Sequence, residues 1–259
     1  MIQAISLQQY AIIVEHLTVA YSAQPVLWDI SVAIKKGTLL GIIGPNGAGK
    51  TTFIKAILGL VKSISGKIKI DVSESPRHAL AYVPQRTLVD WDFPINVFDV
   101  VLMGRYAHIG WIKRPSQNDR AIAWHALERV GLIDYAYRPI GQLSGGQQQR
   151  VFLARALTQE ASIYLLDEPF NGVDIATEKM IVSLLKGLCA QGKTVIVVHH
   201  DLQTLAEYFD WLLLLNTTCV AYGPLAEVLK PEYMCSVYGD RNLFSTLQVH
   251  KETNEQFDI

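Results

Sequence analysis

The sequence predicts an α/β fold: a core with parallel strands, an antiparallel β-rich portion ahead of it and a helical subdomain inserted into it. Three observations lead there. Short apolar runs alternate with amphipathic stretches, the pattern of repeated βα units. The runs Ile163–Leu166 and Thr194–Val198 have the composition of strands buried on both faces, and each is followed by acidic or histidine residues. A glycine-rich loop, Gly44–Thr52, separates the β-rich run Thr38–Ile43 from a helical pattern.

In chain order, Ile12–Ala20 and Val26–Ile34 read as antiparallel strands joined by a turn near Ser22–Pro25. After the glycine loop, Lys50–Leu60 carries Phe53, Ile54, Ile57, Leu58 and Leu60 at helical spacing. From Pro94 to about Glu160 the character is helical, with a long amphipathic stretch at Arg120–Val130. The run Trp211–Leu215 has strand length, and Leu225–Leu229 and Glu232–Tyr238 read as short helices. Residues 1–240 are expected to form one domain, with the helical subdomain at about 94–160 inserted in its core, and 241–259 a polar tail.

Half of the 259 residues are hydrophobic and 18% are charged, enough apolar material for a sizeable core. A formal net charge of −1 gives no electrostatic support for a general affinity for nucleic acid. Cys189, Cys219 and Cys235 are far apart and form no CxxC pair, so neither a disulfide framework nor a zinc site is expected. The start has no signal-peptide pattern. No apolar run approaches the roughly 20 residues of a membrane helix, so the chain is expected to be soluble and to meet a membrane only through a partner.

The strongest motif is Gly44-Pro45-Asn46-Gly47-Ala48-Gly49-Lys50-Thr51-Thr52, which fits GxxxxGK[ST] between a strand and a helix. Its glycines let backbone N–H groups approach phosphate oxygens, and the helix starting near Lys50 aims its positive end at the same anion. Lys50 can neutralise charge between the terminal phosphates of a nucleotide, and the Thr51 hydroxyl can complete a Mg²⁺ shell. A second anion-binding helix start is written in Leu143-Ser144-Gly145-Gly146-Gln147, with Ser144 as N-cap and an apolar pattern continuing to Thr158. Asp167 and Glu168 stand side by side after a buried strand, an arrangement of like charges that favours a cation there. Asp167 suits the Mg²⁺ shell and Glu168 suits a general base facing water. Finally, His199-His200-Asp201 closes another strand, and the alternation of strand side chains lets only one histidine face the nucleotide.

The order of these pieces resembles the ABC ATPase family along nearly the whole chain. Gly44–Thr52 matches Walker A, Gln85 the Q-loop, Leu143–Gln147 the signature, and Asp167 with Glu168 the Walker B pair. Asp174 closes a D-loop, His200 matches the switch histidine, and Tyr21 stands where the family stacks an aromatic ring on adenine. His199 departs from the Thr or Ser usual before the switch histidine. The resemblance implies ATP and Mg²⁺ as cofactors, the metal held by Thr51, Gln85 and Asp167. It also implies catalysis by Glu168, His200 and Gln85, and a head-to-tail homodimer in the ATP-bound state. In that dimer Ser144, Gly145, Gly146 and Gln147 of one copy close over the nucleotide of the other.

Integral membrane permease subunits would then supply the translocation path, and a solute-binding protein would act through them. The chain would lie at the cytoplasmic face of the inner membrane. The stretch Asp90–Arg105, "DWDFPINVFDVVLMGR", resembles ATPases of the manganese, zinc and iron importers. Trp91, Phe93 and Pro94, with Arg105 nearby, are expected to form an apolar socket for a permease helix. Two alternatives are the ATPase of an iron-chelate or haem importer and a soluble ABC ATPase acting on nucleic acid or ribosomes. The single cassette, the lack of sustained heptads and the near-neutral charge speak against the latter.

Overall fold

The computed structural model describes residues 9–71, 79–86, 91, 93–110 and 113–239. The expected polar tail at 241–259, and Asp90 and Asp92 of the stretch Asp90–Arg105, lie outside the described residues. The chain divides into two compact units, one drawn from Met1–Ala11, Lys35–Thr38 and Ile70–Val197, the other from Ile12–Ile34, Leu39–Lys69 and Val198–Ile259.

The second of these units opens with β1 (Tyr10–Ala20) and β2 (Pro25–Lys35), followed by β3 (Leu39–Ile43), α1 (Lys50–Ile57) and β4 (Ser65–Ile70). Strands β1, β2 and β4 form a three-stranded sheet in the order β2-β1-β4. Every residue of β3 is buried, as its unbroken Leu-Leu-Gly-Ile-Ile run requires. Helix α1 stops at Ile57, short of the expected Leu60, and turns its apolar stripe of Phe53, Ile54 and Ile57 inward.

The other unit begins with β5 (Leu80–Val83) and passes through α2 (Val97–Leu102), α3 (Tyr106–Ile109), α4 (Gln117–Arg129) and α5 (Gly145–Leu157). It then returns through β6 (Ile163–Asp167), α6 (Ile175–Ala190) and β7 (Thr194–Val198). Strands β5 and β6 pair in parallel, with Leu80 opposite Ile163 and Val83 opposite Leu166. All five residues of β6 are buried, which carries Asp167 to the end of a wholly covered strand. Side-chain caps set the helix starts: Asn96 for α2, Ser116 for α4, Ser144 for α5 and Asp174 for α6.

The described residues end with α7 (Leu205–Tyr208), β8 (Trp211–Asn216), β9 (Thr218–Pro224), α8 (Leu225–Val228) and α9 (Pro231–Tyr238). Strand β8 runs parallel to β3, with Leu40 opposite Trp211, and antiparallel to β9. The α/β class, the antiparallel sheet near the start and the helical middle are thus as the sequence predicts.

Candidate active site

The phosphate loop grows directly out of β3. Gly44 has φ 152°, and a Cβ there would run into the Leu215 carbonyl at the end of β8. Gly49 has φ 93°, and a Cβ there would lie 2.6 Å from Leu27 Cδ2 and 2.8 Å from the Val26 carbonyl oxygen. Only glycine satisfies both positions. Gly49 is the N-cap of α1 and offers no side chain to its first turn. The positive end of that helix therefore opens on the loop with no side chain in place of an anion.

Lys50 is buried, and its ammonium donates to the carbonyls of Gly44 at 2.7 Å and Pro45 at 2.9 Å. Those bonds hold the charge inside the loop formed by Pro45, Asn46, Gly47 and Ala48. Ala48 in turn accepts from the Thr217 N–H at 3.1 Å, which ties the loop to the β8–β9 turn. Thr51 and Thr52 occupy the first turn of α1, and Tyr21, 61% exposed, has its hydroxyl 3.5 Å from Thr52 Oγ1. An exposed ring anchored at its hydroxyl is suited to stacking. A contact the sequence did not announce comes from α9: burial pushes the Tyr238 phenol up to about 12, opposed by a hydrogen bond with the Gly44 backbone.

The acidic pair sits at the end of β6. Asp167 is fully buried, and its charge adds to the burial that pushes the Tyr82 phenol up to about 12. Glu168 has φ 51°, a left-handed conformation that costs a non-glycine residue about 1–2 kcal/mol. Its Oε2 accepts from Gln85 Nε2 at 2.7 Å and from Asn171 Nδ2 at 3.4 Å. Gln85 reaches Glu168 across 83 positions of sequence, and Asp167 adjoins Glu168, so the three bring hard oxygen donors to one place, a donor set that fits Mg²⁺.

The two histidines separate as strand alternation predicts. His199 is buried, with Nε2 2.7 Å from Thr204 Oγ1, and burial pushes its pKa down to about 4. His200 is exposed.

The signature forms the expected helix start. Ser144 Oγ accepts from the Gln147 N–H at 3.3 Å while Gln147 Oε1 accepts from the Ser144 N–H at 2.9 Å, a reciprocal capping box. Gly145 and Gly146 occupy the first turn of α5. Sequence reasoning passed over Arg86, whose Nε donates to Gln148 Oε1 at 3.0 Å. Its one signal was its position directly after Gln85.

The apolar socket needs correcting. Arg105 is buried: Nε donates to Asp119 Oδ1 at 3.0 Å, and Nη1 to the Thr158 carbonyl at 2.8 Å and Glu160 Oε2 at 2.6 Å. These partners tie the start of α4 to the end of α5, so Arg105 does not serve a docking surface. Trp91 also turns inward, its indole N–H donating to the Arg86 carbonyl at 3.1 Å and its ring meeting Phe152 edge-on at 5.3 Å. Phe93 stays exposed, and so do Met103 and Tyr106 from the same unit.

A family model described as ABC transporter matches residues 27–171. The zinc transport system ATP-binding protein TroB of Treponema pallidum (strain Nichols) is 54% identical over 245 residues, 94% of this chain and 92% of that protein. The manganese transport system ATP-binding protein MntB of Bacillus subtilis (strain 168) is 55% identical over 244 residues, 93% of this chain and 98% of that protein. Among solved structures, an ABC transporter described as of metal-chelate type, in an inward-facing conformation, aligns with a TM-score of 0.81 at 32% identity, covering 90% of each chain.

Proposed function

Because this chain belongs to the ABC transporter family, as one of its ATP-binding, ATP-hydrolysing subunits, we propose that it works as a homodimer driving import of manganese or zinc through separate membrane subunits. The observation that carries the chemistry is the start of α1: a helix without a side-chain cap, fronted by two positions that only glycine can fill. In this reading Gly44–Thr52 wraps the phosphates and Lys50 balances their charge. Tyr21 stacks on the adenine. Thr51, Gln85 and Asp167 would hold Mg²⁺, which neutralises charge on the β- and γ-phosphate oxygens when bound.

Glu168 accepts a proton from the attacking water, and His200 supports the γ-phosphate. Its bond from Gln85 keeps the Glu168 carboxylate oriented until water and nucleotide arrive. A single phosphate loop alongside a second capped, glycine-opened helix start favours two copies facing each other. Each then supplies Ser144, Gly145, Gly146 and Gln147 to the other's nucleotide. Loss of the γ-phosphate removes a ligand shared by both copies, so hydrolysis opens the pair.

Among the described residues no helix is long and apolar enough to cross a membrane. The chain would sit peripherally at the cytoplasmic face, with Phe93, Met103 and Tyr106 supplying exposed apolar contact for a permease helix. A solute-binding protein would then choose the cargo. Identity of 54–55% to a zinc and a manganese system, against 32% to the metal-chelate structure, favours a bare divalent metal over an iron chelate or haem. The test reconstitutes the chain with its membrane subunits and measures ATPase stimulation by the cognate binding protein. Stimulation by the Mn²⁺- or Zn²⁺-loaded form is expected; stimulation confined to a ferric-chelate or haem-loaded form overturns the cargo assignment.

A further inference from the structure

Gln85 and Arg86 are consecutive, yet their side chains grip two different parts of the machinery. Gln85 holds Glu168 at 2.7 Å. Arg86 holds Gln148 at 3.0 Å, and Gln148 is itself buried, with Nε2 donating to the Ile140 carbonyl at 3.2 Å. The guanidinium also lies over the first signature glycine: a Cβ on Gly145 would stand 3.0 Å from Nη1 and 3.1 Å from Cζ. Trp91 closes the arrangement. It donates to the Arg86 carbonyl, meets Phe152 of α5 edge-on, and has its ring centroid 5.8 Å from Arg86 Cζ. One planar cation is therefore bonded to Gln148 and laid across Gly145 at the start of α5, with an indole on its other side.

We propose that Arg86 is a positioning residue for the signature: it fixes the turn Gly145–Gln148 so that Ser144, Gly145 and Gly146 meet the γ-phosphate held by a second copy. The proposal rests on the composite-site reading given above. Its consequence is specific. Arg86 adjoins a residue that serves its own copy's Glu168, but its loss damages the site of the other copy. A purely local role beside Gln85 would damage its own site instead, and a general role in folding would damage both.

Mixed dimers distinguish these. With Glu168→Gln in every chain to suppress turnover, ATP-dependent association of two differently tagged copies is measured by analytical ultracentrifugation. The control pairs Lys50→Ala with Ser144→Ala in separate chains, which leaves one intact composite site. Placing both changes in one chain, paired with a chain unsubstituted at 50 and 144, leaves none. Equal association in these two controls sinks the composite-site reading itself.

Given separation there, Arg86→Ala replaces Ser144→Ala. Arg86→Ala in one chain and Lys50→Ala in the other is expected to associate within about twofold of a pair carrying Lys50→Ala alone. Both changes in one chain are expected to weaken association about tenfold, the scale of one lost charge-assisted hydrogen bond. Arg86→Lys, which keeps a donor without the planar fork, should fall between. The reverse ordering, or equal association in both arrangements, overturns the proposal.

Discussion

His199 shows what one substitution in a familiar motif does. The side chain is 2% exposed beside Thr204, His200, Tyr208 and Phe209, and burial, opposed by the charge of Asp201, brings its pKa to about 4. Between about pH 4 and about pH 6.5 the unfolded chain binds a proton that the folded chain does not. Stability from this group is therefore complete above about pH 6.5 and is lost as pH falls through the window, by up to about 3 kcal/mol. Replacing His199 with Thr is expected to flatten that decline. The check is the urea midpoint at about pH 7.5 and about pH 5, where the wild type should lose markedly more than the variant. That His199 and His200 would turn apart was legible from alternation, but alternation alone does not say which of the two is buried. The roles of Arg86 and Arg105 were not legible. A lone arginine in a sequence reads as a surface charge, and the acceptors of Arg105 lie 14, 53 and 55 positions away.

At the scale of elements, local chemistry was easiest to read. The serine and glutamine of the signature announce a capping box, and the buried strands announce themselves by unbroken apolar runs. The same rule applied to Ser116 and Asp119 would have found the start of α4. It would not have found that Asp119 faces two ways, capping α4 with Oδ2 and accepting from Arg105 with Oδ1. Hydrogen bonds from Ser116, together with the nearby Arg105 guanidinium, hold the Asp119 carboxyl below the usual carboxylate range. Arg105→Ala removes a buried cation and takes its hydrogen bonds from the Thr158 carbonyl and Asp119 Oδ1, while Asp119 Oδ2 keeps those from Ser116. We expect a loss of about 2 kcal/mol, with Glu160 contributing little because its carboxylate is half exposed. Chemical denaturation measures the loss. Hydrogen exchange should show faster opening at the start of α4 and the end of α5, with the amides of α1 unchanged.

The whole molecule works, on this reading, only as a pair. Glu168→Gln keeps the size and hydrogen-bonding capacity of the side chain while removing the base. It should leave ATP binding intact, reduce turnover at least a hundredfold and trap an ATP-dependent dimer visible by size-exclusion chromatography. Undiminished turnover would remove Glu168 from the mechanism. Cargo was the least legible property, for a physical reason. The metal reading comes only through the resemblance of Asp90–Arg105 to metal importers, and among the described residues no group of three or more His, Cys, Asp or Glu is arranged to hold a metal ion. The start of α1 carries one more consequence at this scale. On the proposed reading, a helix whose first turn has no side chain to finish it is completed by the nucleotide it binds. A ligand that favours the folded chain shifts the folding balance by mass action. On the same reading, the stability of each copy rises with the concentration of free nucleotide, so the fuel also acts as a structural ligand.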